Sequence, residues 1–415
     1  MRRYARMFGL AACLLVLLTT CSLPSSGGRE LRIAGFVAPP TPALGPTVLP
    51  TVTPLPGAAA NSPGEPPAVP PLAAVMAPAR TGDVPLPGDL VARAAQMDAY
   101  LASLTQQGAF SGSVLVAVQG RLLLSRGYGL ANREAGIPAT ATTRYRLASV
   151  SKPLTALATL RLVAAGKLKL DASICDYLDN CPAAWAPVTL VHLLSQSSGI
   201  PNYTDFAEFA ALEQSPSTPD QTIARFRDLP LGFAPGTLYH YTNSNYLLLG
   251  TIIERAAGTS YEEYLRRELF LPLGMADSGL DPGDFSPLNG TRGYAGGQLD
   301  IPLDVSNLFA AGDLYSTVED LYKLAQALDS GRLLPPELVT RMVTPGHGNY
   351  GLGWKIQQQA RGRLVFHDGW MSGAATWFGR YPDQGVTVIV LSNEYAAYGT
   401  VIAIADYLAG QVLGS

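Results

Sequence analysis

Strand-like runs stand at both ends of residues 89–415, and a long helical stretch separates them. Gly112 to Val118 and Leu122 to Ser125 are apolar runs joined at Gln119-Gly120, which predicts a hairpin. Far downstream, residues 350–358, 363–367, 374–381 and 386–392 read as four more strands, with Pro382-Asp-Gln-Gly385 the clearest turn between them. Residues 170 to 345 alternate helical stretches with loops rich in Gly, Pro and Asp. Leu90, Ala94, Met97, Leu101 and Leu104 recur at four- and three-residue spacing, which predicts an amphipathic helix over 89–106. Val401 to Val412 predicts a closing helix. Strands from both ends with a helical middle imply an α+β fold. One antiparallel sheet, flanked by the terminal helices, would carry a mostly helical lobe. A site would lie at the seam.

The residues ahead of this region are of another kind. Sixteen of the chain's 33 prolines fall between residues 21 and 90. Such a segment buries too little apolar surface to fold, so 22–88 is expected to be an extended, disordered tether, or a leader without a role. Before it, Arg2, Arg3 and Arg6 precede an apolar run from Met7 to Leu18, the charged and apolar parts of a secretory signal. That run is about half of the ~20 residues a spanning helix needs. Leu18-Thr-Thr-Cys21 resembles a bacterial lipobox ending in Cys21, the residue that would be lipidated; Thr20 departs from the usual small residue. The alternatives are a plain cleaved signal and an uncleaved anchor. The expected layout is a signal over 1–21, a tether over 22–88 and one folded region over 89–415. The expected location is extracytoplasmic, anchored to the membrane by lipid or secreted.

Net charge is −3 and the folded region holds no Lys/Arg run, so no nucleic acid partner is expected. With Cys13 in the signal and Cys21 in the lipobox, only Cys175 and Cys181 remain. In an exported chain this six-residue spacing suits a loop-closing disulfide, with free buried thiols as the alternative. Neither cysteine lies near a histidine pair, so zinc is not indicated. The chemistry is expected to need no metal or cofactor, and the partner is a small-molecule or short-peptide substrate.

Within Tyr145-Arg-Leu-Ala-Ser-Val-Ser-Lys-Pro-Leu-Thr-Ala156, Ser149 stands three residues before Lys152, a spacing that puts both on one helix face. No other of the five lysines has a serine at that distance. A serine needs a neighbouring base to become a nucleophile, and an amine serves once a dry pocket at a helix N-terminus lowers its pKa. The same helix end offers N–H groups to an oxyanion. Tyr239-His-Tyr-Thr-Asn-Ser-Asn-Tyr246 supplies Tyr241, which near amines could be partly phenolate and shuttle protons. It also supplies Asn243, able to hold a substrate carbonyl and the lysine; the plain alternative is a helix cap with aromatic packing. His367-Asp-Gly369 closes the run Arg363-Leu-Val-Phe-His. A glycine there lets a substrate lie along the strand edge, and the Trp370 N–H would be a second oxyanion donor opposite that of Ser149. The plain alternative is a strand end with a surface histidine.

Taken in order, Ser-x-x-Lys, Tyr-x-Asn and His-x-Gly resemble the β-lactamase-related serine hydrolases, which take in class C β-lactamases, D-alanyl-D-alanine carboxypeptidases and related esterases. The likeness extends to Leu193-Leu-Ser-Gln-Ser-Ser-Gly-Ile-Pro201, Ala311-Gly-Asp-Leu-Tyr-Ser-Thr317 and Tyr350-Gly-Leu-Gly-Trp354, and so spans residues 95 to 410. It implies a β-lactamase/transpeptidase-like fold. It also implies Ser149 as acylated nucleophile, Lys152 as activating amine and Tyr241 as general base and acid. Asn243, His367, Gly369 and Trp370 would contact substrate. Two departures stand out. His367 replaces the lysine of the Lys-Thr-Gly strand motif, removing a permanent cation suited to a β-lactam carboxylate, with Asp368 adding a negative charge beside it. Gln196 stands where relatives often carry a second histidine.

The expected function is acyl transfer from an ester, a D-alanyl peptide or a β-lactam through acyl-Ser149. Competing with it are a non-catalytic β-lactam or peptidoglycan binding module or sensor of the same fold, and an adhesin-like domain. A binder has no need of Ser149, Lys152, Tyr241 and Asn243 together. Asp277-Ser-Gly279 has the form of an aspartic-protease triplet, but that chemistry needs two such carboxylates. His192 is expected to be a satisfied packing residue and His347 a loop residue. His240, Trp354 and Trp377 are candidates for core or pocket wall.

Overall fold

The computed structural model describes residues 88–414, apart from 286, 287, 289, 301 and 302. The signal, the tether and Cys21 therefore lie outside the described residues. Six strands form one antiparallel sheet: β1 (Gly112–Val118), β2 (Arg121–Tyr128), β3 (Lys355–Gln359), β4 (Gly362–Met371), β5 (Ala374–Tyr381) and β6 (Val386–Ser392). Their spatial order is β3-β4-β5-β6-β1-β2, so the two ends of the chain meet where Gly112 pairs with Ser392 and Val118 with Val386.

The central strands read as unbroken apolar runs because both sheet faces are covered. On one face Val114, Val116, Val388 and Val390 pack under the terminal helices, α1 (Gly88–Gln106) and α5 (Tyr398–Leu413). There they meet Met97, Leu101, Val401, Ile404 and Leu408. The alternate residues Leu115, Ala117, Ile389 and Leu391 face the helical lobe. Each such fully buried aliphatic side chain contributes about 1.5–3 kcal/mol over exposure, so register is firmly set by a period-two pattern facing two cores. The helical lobe is built around α2 (Ser151–Ala164), α3 (Asn243–Ala257) and α4 (Val318–Asp329), the last seated on β1 and β6. α2 is buried on nearly every side, from Ser151 to Leu162, as a central helix in a large core must be. Cys175 and Cys181 are joined by a disulfide at the lobe's surface.

Two strand boundaries differ from the sequence pattern, and both shape the site. Residues 350–354 are not strand. The Leu352 N–H is held by the Met342 carbonyl and the Gly353 N–H by the Leu194 carbonyl, which folds the segment down onto the lobe. Gly353 has φ 87°, and a Cβ there would lie 2.4 Å from the Ala156 Cβ, so the chain bends at a glycine. Conversely, β4 runs on to Met371 rather than stopping at His367. Its pairing with β3 ends at Phe366, so residues 367 to 371 have a strand neighbour only on the β5 side. The other edge is open toward the turn that carries Ser149.

Candidate active site

Ser149 lies in a short 3-10 turn, Ala148–Val150, directly ahead of α2, rather than inside the α-helix that the spacing suggested. With three residues per turn, positions i and i+3 line up, and Lys152 Nζ lies 3.0 Å from Ser149 Oγ. The turn is pinned from both sides. The Leu147 N–H donates to the Leu314 carbonyl at 2.8 Å, and Thr376 Oγ1 donates to the Leu147 carbonyl at 2.8 Å. Ala148 takes φ 48°, a conformation costing an L-residue about 1–2 kcal/mol, which the buried surroundings impose next to the nucleophile.

Lys152 is fully buried. Its Nζ also lies 2.8 Å from Asn243 Oδ1 and 2.8 Å from the Ala311 carbonyl oxygen. Burial holds its amine well below the ordinary lysine value; the Lys355 ammonium pushes the same way and Asp368 opposes. The Tyr241 hydroxyl donates to Ser149 Oγ at 2.8 Å, and burial pushes that phenol well above the ordinary tyrosine value. Burial thus favours the protonated phenol of Tyr241 and the neutral amine of Lys152, against the expectation of a partly ionised tyrosine.

A neutral amine has two N–H donors and one lone pair. The Ala311 carbonyl and Asn243 Oδ1 can only accept, so they take both donors. The lone pair is left facing the one neighbour able to donate, the Ser149 hydroxyl. With the amine neutral, Tyr241 O–H to Ser149 O–H to Lys152 N would be a chain with a single direction.

Asn243 opens α3 and is fixed by three groups. Its N–H donates to Asn202 Oδ1 at 2.9 Å, its Nδ2 donates to Thr204 Oγ1 at 3.2 Å, and Thr242 caps the helix through Ser244 N. Gln196, fully buried, receives the Thr242 N–H and Asn245 Nδ2 on Oε1 at 3.1 and 2.7 Å, while its own carbonyl accepts from the His240 N–H. It clamps the segment carrying Tyr241 and Asn243 from behind.

Gly369 stands on the open edge of β4, against the nucleophile turn. A Cβ there would sit 2.4 Å from Thr376 Oγ1, 2.5 Å from the Leu147 carbonyl and 3.0 Å from Ser149 N. Gly369→Ala is therefore expected to displace the turn and lower kcat/KM about 10²-fold, the order of effect that a 1 Å misplacement has. Steady-state kinetics on the folded variant, with its Tm measured alongside, checks this.

Trp370 lines the cleft and is half exposed. His367 does not line it. Its ring is fully buried behind Tyr241, with centroids 6.2 Å apart, which corrects its expected place against the ligand. His367 Nδ1 lies 2.7 Å from the Asp368 carbonyl, an obligate acceptor, so Nδ1 carries the proton and Nε2 accepts from the Tyr350 hydroxyl at 3.0 Å. Burial lowers its pKa to about 3, so the ring is neutral at any working pH. It positions Tyr350, whose ring packs edge-on against Tyr241. Asp368 points away from the cleft, paired with Lys355 and receiving the Tyr398 hydroxyl. Of the decoys, His192 accepts the Thr189 N–H on its own short helix, and Asp277 pairs with Arg144. Trp354 is buried against Phe378, while Trp377 stacks on Phe366. His240 is exposed, and His347 contacts the Gly236 carbonyl in a loop.

The sequence matches the Beta-lactamase family over residues 90–411. The chain belongs to the β-lactamase family. Penicillin-binding protein 4* of Bacillus subtilis (strain 168) is 29% identical over 318 residues, 70% of this chain and 70% of that protein. Among solved structures, a penicillin binding protein from Bacillus halodurans is 29% identical with TM-score 0.66, covering 74% of this chain and 99% of its own. D-amino acid amidase from Ochrobactrum anthropi SV3 shares the fold at 24% identity and TM-score 0.68, over 78% of this chain and 99% of that one. The β-lactamase-family chain is accordingly a serine hydrolase with an α+β fold.

Proposed function

We propose that the chain is an exported hydrolase that opens an ester or amide through an acyl-Ser149 intermediate. The observation that carries this is the geometry at the nucleophile: Ser149 Oγ lies 3.0 Å from the buried Lys152 Nζ and 2.8 Å from the Tyr241 hydroxyl, so that an amine held neutral by burial can take the serine's proton. In the forward step Ser149 Oγ bonds to the acyl carbon as its proton passes to Lys152. The N–H groups of Ser149 and Trp370 receive the oxyanion. As the acyl–leaving-group bond breaks, the leaving group takes its proton from the Tyr241 hydroxyl, which Lys152 reprotonates. Water then enters by the reverse route, releasing the acid and restoring Ser149. Asn243 orients the lysine and the substrate carbonyl. His367 and Gln196 act as positioning residues.

Tyr241→Phe keeps the ring and removes the hydroxyl that serves the leaving group. It is expected to lower kcat about 10²–10³-fold while leaving fluorophosphonate labelling of Ser149 slower but complete. Parallel turnover and labelling assays check this.

Short acyl esters, D-alanyl peptides and β-lactams are the candidate substrates, in that order. A β-lactam or a C-terminal peptide presents a carboxylate, whereas burial disfavours the charged form of Lys152 and the Lys355 ammonium is already paired with Asp368. We further propose that the signal and Cys21 deliver the domain to the outer membrane face on its proline-rich tether, with the substrate as sole partner there. Turnover of p-nitrophenyl butyrate with a burst of one equivalent, and a butyryl mass on the Ser149 peptide after acid quench, tests the reaction. A folded chain showing neither would favour the binding module.

A further inference from the structure

The cleft beside Ser149 has a volume of about 550 Å³, and its charge pattern is one-sided. Among the described residues that line it, none is Lys or Arg, whereas Glu213 and Asp300 both present carboxylates. Among the described residues neither takes part in an ion pair, although 16 such pairs hold other charges there. Asp300 uses Oδ2 to accept the Gly373 N–H at 2.7 Å, which fixes its side chain. A second, separate feature has the same preference. Trp370, half exposed on the cleft wall, stacks on Tyr395 at 4.5 Å between ring centroids, and both line the cavity. Aromatic rings offer a negative face that attracts ammonium groups. Glu213 and Asp300 line the same cavity as this aromatic pair, and both act, after burial, to raise the Tyr395 hydroxyl's pKa. Leu303, Leu308 and Met371 add apolar wall.

We propose that this cleft selects acyl donors carrying a free ammonium group next to an apolar side chain, such as amino-acyl amides or esters, with Glu213 and Asp300 as the residues that recognise the ammonium. The proposal rests on the acyl-Ser149 reaction proposed above and names its substrate class. An ammonium entering this cleft gains two carboxylates and an aromatic neighbour. A carboxylate entering it meets two like charges and no cation, a mismatch that rejects as strongly as the match attracts.

The test compares three p-nitroanilides on the full chain: phenylalanine with a free amine, its N-acetyl analogue and its N-succinyl analogue, each in both enantiomers. Fluorophosphonate labelling is run alongside. The expected result is a kcat/KM at least about tenfold higher for the free amine than for the N-acetyl form, and lowest for the N-succinyl form. That ratio should fall as pH rises through about 7.7–8, where an α-amine loses its charge; the N-acetyl reference cancels any titration of Lys152. Glu213→Gln and Asp300→Asn keep shape and, at Asp300, the acceptor for Gly373. Each should lower the ratio about fivefold or more, whereas Glu213→Asp should retain a ratio above one. A ratio at or below one in the wild type, or a ratio unmoved by both variants, overturns the inference while Ser149 still labels. Failure of labelling overturns the acyl-enzyme proposal, and this inference with it.

Discussion

Replacing Ser149 with Ala is expected to reduce kcat/KM about 10⁵–10⁶-fold for any acyl donor while shifting Tm by no more than about 2 °C. The first figure is the scale of effect seen when the nucleophile of a cooperative catalytic unit is removed, since base, proton carrier and oxyanion donors then have no covalent step to assist. The second follows from the surroundings. Ser149 is partly buried at the cleft, and its Oγ hydrogen-bonds only with Lys152 and Tyr241 among the described side chains. Neither contact ties the sheet to the lobe. The turn is held by Leu147 and Thr376, which the substitution leaves alone. Kinetics with a sensitive ester, together with a thermal melt, separates the outcomes: lost turnover with lost stability would make Ser149 a packing residue.

Lys152→Met removes the base while keeping an unbranched side chain in the cavity. Turnover is expected to fall about 10²–10⁴-fold, the range of a general base, or further if acylation ceases. The pH behaviour is the sharper readout. In the wild type the reactive form is the neutral amine, so the activity of the free protein rises with pH through a value well below 10.5. Lys152→Met should lose that limb and show a flat residual profile. Stability gives an independent sign. The folded amine has a depressed pKa, so below 10.5 the unfolded chain binds a proton that the folded chain has released. Wild-type stability relative to Lys152→Met should therefore rise with pH from the folded-state value up to 10.5 and level off above it. Denaturant titrations at several pH values check this. A difference independent of pH would mean that Lys152 stays charged in the folded protein.

The architecture was legible because two periodicities in distant segments point to the same sheet. Val114 and Val116 face one core and Leu115 and Ala117 the other. The seam of α1 is visible in the spacing from Leu90 to Leu104. Strand ends were less legible: Tyr350-Gly-Leu-Gly-Trp354 has strand composition, but contacts from Met342 and from Leu194, the latter far away in the chain, bend it onto the lobe. In the site, residues whose side chains carry recognisable chemistry could be found by spacing, as with Ser149, Lys152, Tyr241 and Asn243. What could not be found is what burial decides. The Ala311 carbonyl beside Lys152 is a backbone group with no side-chain signature. The sign of the Tyr241 shift depends on desolvation, which outweighs the Ser149 hydrogen bond. His367 looked like a ligand contact because its motif position is on the strand. Strand alternation and the Tyr350 hydroxyl put its ring beneath Tyr241 instead. Glu213 and Asp300 sit in loops without periodicity, and only the closed fold brings both to one cleft.

Intact-mass spectrometry of the full chain after incubation with a fluorophosphonate tests whether Ser149 is an activated nucleophile. One adduct per chain is expected on the wild type and none on Ser149→Ala. A folded wild-type chain that stays unlabelled, or equal labelling of the Ser149→Ala variant, would contradict catalysis at this serine.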